Sequence, residues 1–305
     1  MSAMLLLLLC LVAGVVLRNT GRLSEAAPAT LNAYVINLAL PSLALAHLHR
    51  TELTPGLLAT AAGAWLMLGM AALFFGVVAR RLKLGPAATG ALILTGGLAN
   101  TSFVGLPMIE AWIGREGLPY GIVIDQLGSY LALSTFGLLV AARYGNQPMH
   151  WREMCRRVMT FPPFIAVALA LLLRPVAFAP ALDEALARLG ATVAPVALLA
   201  VGCQLRIGET WRNRAALALG LGYKLILGPL LIAVACLVLM NPDPSSDLAR
   251  AVVVFEAAMG PMIGAAVVAN HYKLDSALTS LMVGIGIPLS LLVAPLWLGV
   301  AHSMA

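Results

Sequence analysis

Long apolar stretches, separated by short charged or Gly/Pro-rich gaps, make up almost the whole chain. About ten can be marked off, at 3–17, 26–48, 56–79, 86–113, 118–142, 158–173, 186–205, 215–240, 246–271 and 276–301. A helix needs roughly 20 predominantly apolar residues to cross a bilayer, with about 17 as the lower limit. The pattern therefore predicts an all-α membrane protein of ten spanning helices, the first and sixth being short.

Two stretches carry polar and helix-breaking residues at their centres. The fourth reads Gly96-Gly97-Leu98-Ala99-Asn100-Thr101-Ser102-Phe103-Val104-Gly105-Leu106-Pro107. Proline removes a backbone donor and clashes with the preceding turn. Asn, Thr and Ser favour helix N-caps, and Pro suits a first turn. Two half-helices joined by an unwound segment at 100–106 are expected. The ninth stretch repeats the pattern with Glu256-Ala257-Ala258-Met259-Gly260-Pro261. Unwound backbone at this depth is tolerated only where it is buried in protein or lines a wet cavity. Pro107-Met108-Ile109 and Pro261-Met262-Ile263 are the same tripeptide, 154 positions apart. Pro41 and Pro195 share that offset, with Leu45-Ala46 and Leu199-Ala200 following them. Pro107 and Pro261 are thus expected at helix breaks, and Pro41 and Pro195 at bends in stretches two and seven. The plainer reading is that these prolines only kink packed helices.

Composition agrees with a polytopic membrane protein: 61% of residues are hydrophobic and 10% charged. The net charge of +6 does not indicate nucleic acid, because the basic residues are scattered through the gaps. Five Lys/Arg lie in the even-numbered gaps and thirteen in the odd ones, with Lys224 inside stretch eight. The odd gaps are expected to be cytoplasmic and both termini outside, in a bacterial inner membrane. The apolar N-terminus has Arg18 after it and no Lys or Arg before it, so it reads as a retained span and not a secretory signal. Five stretches per copy is an odd number, so the copies enter the membrane from opposite sides. Residues 1–145 and 146–305 then form two inverted five-helix repeats. The basic segment from Arg143 to Arg157, with Trp151, is their linker along the inner surface. The cysteines Cys10, Cys155, Cys203 and Cys236 have no metal or redox spacing.

Broken helices suggest chemistry. A half-helix N-terminus presents unpaired N–H groups and about +0.5 of a charge. Two of them at the midplane make an anion site without a buried arginine. Asp125 and Glu256 are the sharpest intramembrane acids, where a charge costs at least about 2.5–3.5 kcal/mol. They are candidates for proton or cation coupling, or for hydrogen bonds between helices. Lys224 either snorkels to the cytoplasmic surface or pairs with a carboxylate. Glu110 reaches the interface near Arg115. His47 and His49 point to different faces, which argues against a metal site. Asn270 could line a cytoplasmic exit or cap its helix.

Asn100-Thr101-Ser102-Phe103-Val104-Gly105-Leu106-Pro107 resembles the NTGFLGLP motif of the auxin efflux carrier family. Tyr120-Gly121-Ile122-Val123-Ile124-Asp125-Gln126-Leu127-Gly128, Leu198-Leu199-Ala200-Val201-Gly202-Cys203-Gln204-Leu205 and Glu256-Ala257-Ala258-Met259 are similar to its spans five, seven and nine. The family often has proline directly after the Ala-Met pair; here Gly260 intervenes, shifting the second crossing by a residue. The resemblance implies the fold of bile acid/sodium symporters, with helices four and nine broken and crossing. A scaffold of spans one, two, six and seven would face a mobile transport domain of spans three to five and eight to ten. It further implies an organic-anion substrate and a homodimer through the scaffold.

The expected function is secondary transport of a small carboxylate by alternating access of elevator type, coupled to protons or sodium or to neither. Asn100, Thr101, Ser102, Gly105, Pro107, Met259, Gly260 and Pro261 would line the substrate site. No cofactor or metal is expected. A channel-like facilitator is the alternative. An intramembrane enzyme would need a nucleophile–base or metal constellation, and the sequence offers none.

Overall fold

The computed structural model describes residues 2–52, 54–146, 152, 155, 156, 159–204, 214–240 and 244–304. Trp151 and Arg157 of the central basic segment lie outside the described residues, as do Arg206 and Arg212. The helices are α1 (Ser2–Asn19), α2 (Ala27–Leu48), α3 (Pro55–Arg81), α4 (Pro86–Gly97), α5 (Leu106–Trp112) and α6 (Arg115–Gly145). They continue as α7 (Pro162–Leu172), α8 (Pro180–Gln204), α9 (Arg214–Leu239), α10 (Pro244–Ala257), α11 (Ile263–His271) and α12 (Ser276–Ser303). Among the described residues there is no strand.

Six of these helices, α2, α3, α6, α8, α9 and α12, are long and apolar enough to cross a membrane. α7 is apolar but shorter. α4 has 12 residues and α10 has 14, so each rises only about 18–21 Å. The molecule is apolar outside: Leu73, Leu172, Val238, Leu239, Leu292 and Leu296 are all well exposed. Its interior holds Asn100, Thr101, Asp125, Gln126, Ser129, Lys224 and Glu256. An exposed apolar surface of this kind around a polar core suits lipid as the solvent.

Helix contacts run both within and between the two halves of the bundle. α1 runs along α8, while α2 packs against α7 and α8. The α1–α8 approach is close: a Cβ on Gly14 would meet the Leu199 carbonyl, and one on Gly202 the Leu11 carbonyl. Small residues at such crossings let backbones touch without a hydrophobic driving force. α3 packs against α4 and α6, and α10 against α9 and α12. α12 and α11 also reach α4.

Wide π-turns recur at Val35–Ala39, Thr101–Gly105, Ile124–Tyr130, Leu133–Gly137 and Tyr223–Leu227. The first directly precedes Pro41, and a turn at 191–192 precedes Pro195. Both prolines therefore fall in the first turn of a resumed helix, where no N–H is needed. Those resumed helices start at Leu40 and Val193, 153 positions apart and close to the repeat offset. The broken pair departs from it. α4 ends at Gly97 and α10 at Ala257, 160 positions apart. The shared Pro-Met-Ile therefore does not occupy equivalent places, because the segments between the helices differ in length.

Candidate functional site

The first break is shorter and earlier than the sequence suggests. Only residues 98–100 leave the helix; Thr101–Gly105 coils as a π-turn, and Pro107 lies inside α5. Gly105 N donates to Asn100 O at 2.9 Å and Leu106 N to Thr101 O, so the wide turn absorbs the donor that proline lacks. Asn100 Oδ1 caps the new helix by accepting from Phe103 N at 3.3 Å. The second break runs from residue 258 to 262 and contains Met259, Gly260 and Pro261.

The two breaks run antiparallel past one another. Ala99 and Pro261 form a bridge, Asn100 N donates to Gly260 O at 2.8 Å, and Met262 N donates to Leu98 O at 3.0 Å. Each break thus satisfies backbone groups freed by the other, which unwound chain inside a membrane protein requires. Gly260 is held against α12, where a Cβ would meet the Ile287 backbone. Both α4 and α10 end here, and the next helices begin here, so carbonyl and amide ends of half-helices meet.

Side chains gather around this crossing. Thr101 Oγ1 and Ser102 Oγ each donate to Asp125 Oδ1 at 2.5 Å, and Gln126 Nε2 donates to Asp125 Oδ2 at 2.6 Å. Asp125 therefore fastens the first break to α6. Glu256, 1% exposed, closes the end of α10, and neither of its oxygens has a hydrogen-bond partner among the described residues. It lies against Gly105, where a Cβ would overlap the carboxylate. Glu256 feels both the Asp125 charge and the Lys224 charge.

Lys224 does not snorkel. It is fully buried, and Nζ donates to Ala257 O at 2.8 Å, beside Met67 Sδ at 3.9 Å. A cation at a helix C-terminus complements the dipole, and this one also supplies the charge opposite to Glu256. The Tyr223–Leu227 π-turn shifts the facing of residues around it, which a regular 3.6-residue count cannot anticipate. Thr60, Ser129 and Gln126, which the sequence does not mark as site residues, also stand here. A cavity of about 10 Å³, room for one water-sized probe, is lined by Thr60, Thr101, Ser129 and Glu256. Ser129 lies one turn beyond Asp125, a spacing that could have flagged it.

Asn100, Thr101, Ser102, Gly105, Met259, Gly260, Pro261, Asp125 and Glu256 are thus brought together or stand on the two crossing segments. Asn100, Thr101 and Met259 are sealed from solvent, while Ser102 is half-buried. Pro107 is buried in α5, and Pro41 and Pro195 lie in α2 and α8. Glu110 bonds Arg115 at 3.2 Å. His49 Nε2 lies 2.9 and 2.7 Å from the carbonyls of Leu173 and Val176, with its ring stacked on Phe178. Asn270 Oδ1 accepts from Thr279 Oγ1 at 3.1 Å. Among the described residues no group of three or more His, Cys, Asp or Glu is placed to hold a metal.

A family model described as membrane transport protein matches residues 1–298. An uncharacterized transporter of Methanothermobacter thermautotrophicus is 29% identical, over 97% of this chain and 95% of its own length. One from Methanocaldococcus jannaschii is 26% identical, over 97% of both chains. These matches run through both broken helices and the buried acids. With its apolar helices around a polar crossing, the chain belongs to the membrane transport protein family, the auxin efflux carrier family that its motifs resemble.

Proposed function

We propose that the chain is a secondary carrier that moves a small organic anion across the inner membrane by alternating access. The observation that carries this reading is the pair of crossed breaks, with Asn100, Thr101 and Ser102 on one side and an unpartnered Glu256 beside them. Half-helix N-termini favour an anion at the crossing, and the amide and hydroxyls supply directed hydrogen bonds. α1, α2, α7 and α8 form the scaffold, and α3 to α6 with α9 to α12 form the transport domain. The α1–α8, α2–α7 and α2–α8 contacts support the scaffold grouping. The two halves, 1–145 and 146–305, are inverted repeats of five spans, with α4/α5 and α10/α11 each counted as one broken span. Motion is of elevator type, with both termini outside and a homodimer built through the scaffold.

Glu256 carries the coupling ion. Its free oxygens, with those of Ser129 and Thr60, suit a proton or a hard cation such as sodium. Lys224 adds a positive charge that works against a bound sodium ion. The test is uptake of labelled carboxylates by proteoliposomes at two pH values, with and without sodium. Saturable uptake by the wild type, a loss of tenfold or more in Asn100→Ala, and loss of ion dependence in Glu256→Gln are the expected results. Normal transport by both variants, or flux that never saturates, would sink the assignment.

A further inference from the structure

A second, larger cavity, about 470 Å³, opens between α1, α2, α8, α11 and α12. That volume lies within the usual range for small-molecule sites. Ile263, Ala266, Val267 and Asn270 of α11 line it. Positions i, i+3, i+4 and i+7 form one helical face, and Ile263 directly follows the crossing. The cavity therefore runs along the whole of α11, from the broken helices to the far end of that helix. Its wall also holds Arg18, Glu25, Asn32, Gln204 and Ser280.

Arg18 ends α1 and is largely covered, with 19% of its side chain exposed. Its guanidinium donates to Glu25 Oε1 at 3.0 Å, whereas Glu25 is 88% exposed on the connecting loop. A guanidinium recognises carboxylates through a planar fork of donors. An ion pair with so exposed a partner is weak and easily exchanged. At that far end of α11, exposed Asn270 engages its Oδ1 with Thr279, which leaves its N–H groups for an acceptor.

We propose that this cavity is the substrate's path to the crossing and that Arg18 captures the incoming carboxylate. Glu25 is a tethered competitor that holds the guanidinium until substrate displaces it. The inference rests on the carboxylate-carrier reading above and adds a capture site to it.

The test uses the full chain in proteoliposomes with the Arg18 end facing the medium. Labelled acetate, lactate, succinate and malate serve as probes. Arg18→Gln should raise KM about tenfold with the maximal rate within about twofold. Glu25→Gln should lower KM about two- to fivefold, since it removes the competitor. The double variant should match Arg18→Gln alone, and the opposite signs of the two single variants on KM are what a merely structural ion pair would not give. If Arg18→Gln fails to fold, Glu25→Gln decides: an unchanged or raised KM overturns the proposal. Wild-type uptake with KM unmoved in both variants overturns the capture site alone. No uptake of any probe by the wild type overturns the carrier reading and the capture site with it.

Discussion

Glu256 and Lys224 are both buried and within electrostatic reach of each other, with no direct hydrogen bond between them. Removing one of two such groups leaves the other less compensated in the interior, where losing a directly paired partner costs up to about 3–5 kcal/mol. Lys224→Met should therefore lower the melting temperature in detergent markedly. Adding Glu256→Gln should restore much of it, because the orphaned charge is gone, while transport stays lost. Additive destabilisation in the double variant would mean the two do not communicate. The acids were legible in sequence because charges inside apolar runs are rare. Thr60 and Ser129 were not, since hydroxyls are ordinary in membrane helices and only the fold brings them to Glu256. Lys224 was visible as a charge, but the sequence left its direction open between the surface and a carboxylate.

At the scale of elements, the existence of two breaks and the place of the second could be read from glycine, polar and proline residues, but the position of the first could not. Proline marks where a helix lacks a donor, not where the chain unwinds. At Pro107 a π-turn absorbs the defect, whereas Pro261 stands in the break and bridges Ala99. Pro107→Ala should accordingly be mild, with uptake within about threefold, since a helix-compatible proline mostly acts on the unfolded chain. Pro261→Ala should cost tenfold or more in uptake, because it frees the dihedral that sets the crossing. Equal effects would return Pro107 to the break. Asn100→Ala separates two roles in the same way. Its side-chain cap is worth about 1 kcal/mol, while its backbone bond to Gly260 survives the substitution. A small drop in stability with a large drop in uptake is expected from thermal unfolding and transport on one preparation.

At the scale of the molecule, the grouping of α1, α2, α7 and α8 as a scaffold comes only through family resemblance; hydropathy gives spans and not their neighbours. If that group is a fixed scaffold, a link across its boundary must arrest transport, and a link within it must not. Tyr130 in α6 stacks on Phe161 at the start of α7, with centroids 3.8 Å apart, so this pair spans the boundary. Tyr34 Oη and Thr192 Oγ1, 2.9 Å apart, join α2 to α8 inside the group. Cysteine pairs at these positions, on a background lacking Cys10, Cys155, Cys203 and Cys236, can be bridged by a short reducible bifunctional thiol reagent. Bridging Tyr130→Cys with Phe161→Cys should reduce uptake at least tenfold, and reduction should restore it. Bridging Tyr34→Cys with Thr192→Cys should leave uptake within about twofold of the unbridged variant, because both ends belong to one rigid group. The reversal on reduction separates arrested motion from damage by the substitutions. Continued uptake across a fully bridged 130–161 pair would mean that the two groups do not move past each other there. Transport would then have to proceed by a local gate at the crossing and not by displacement of a domain.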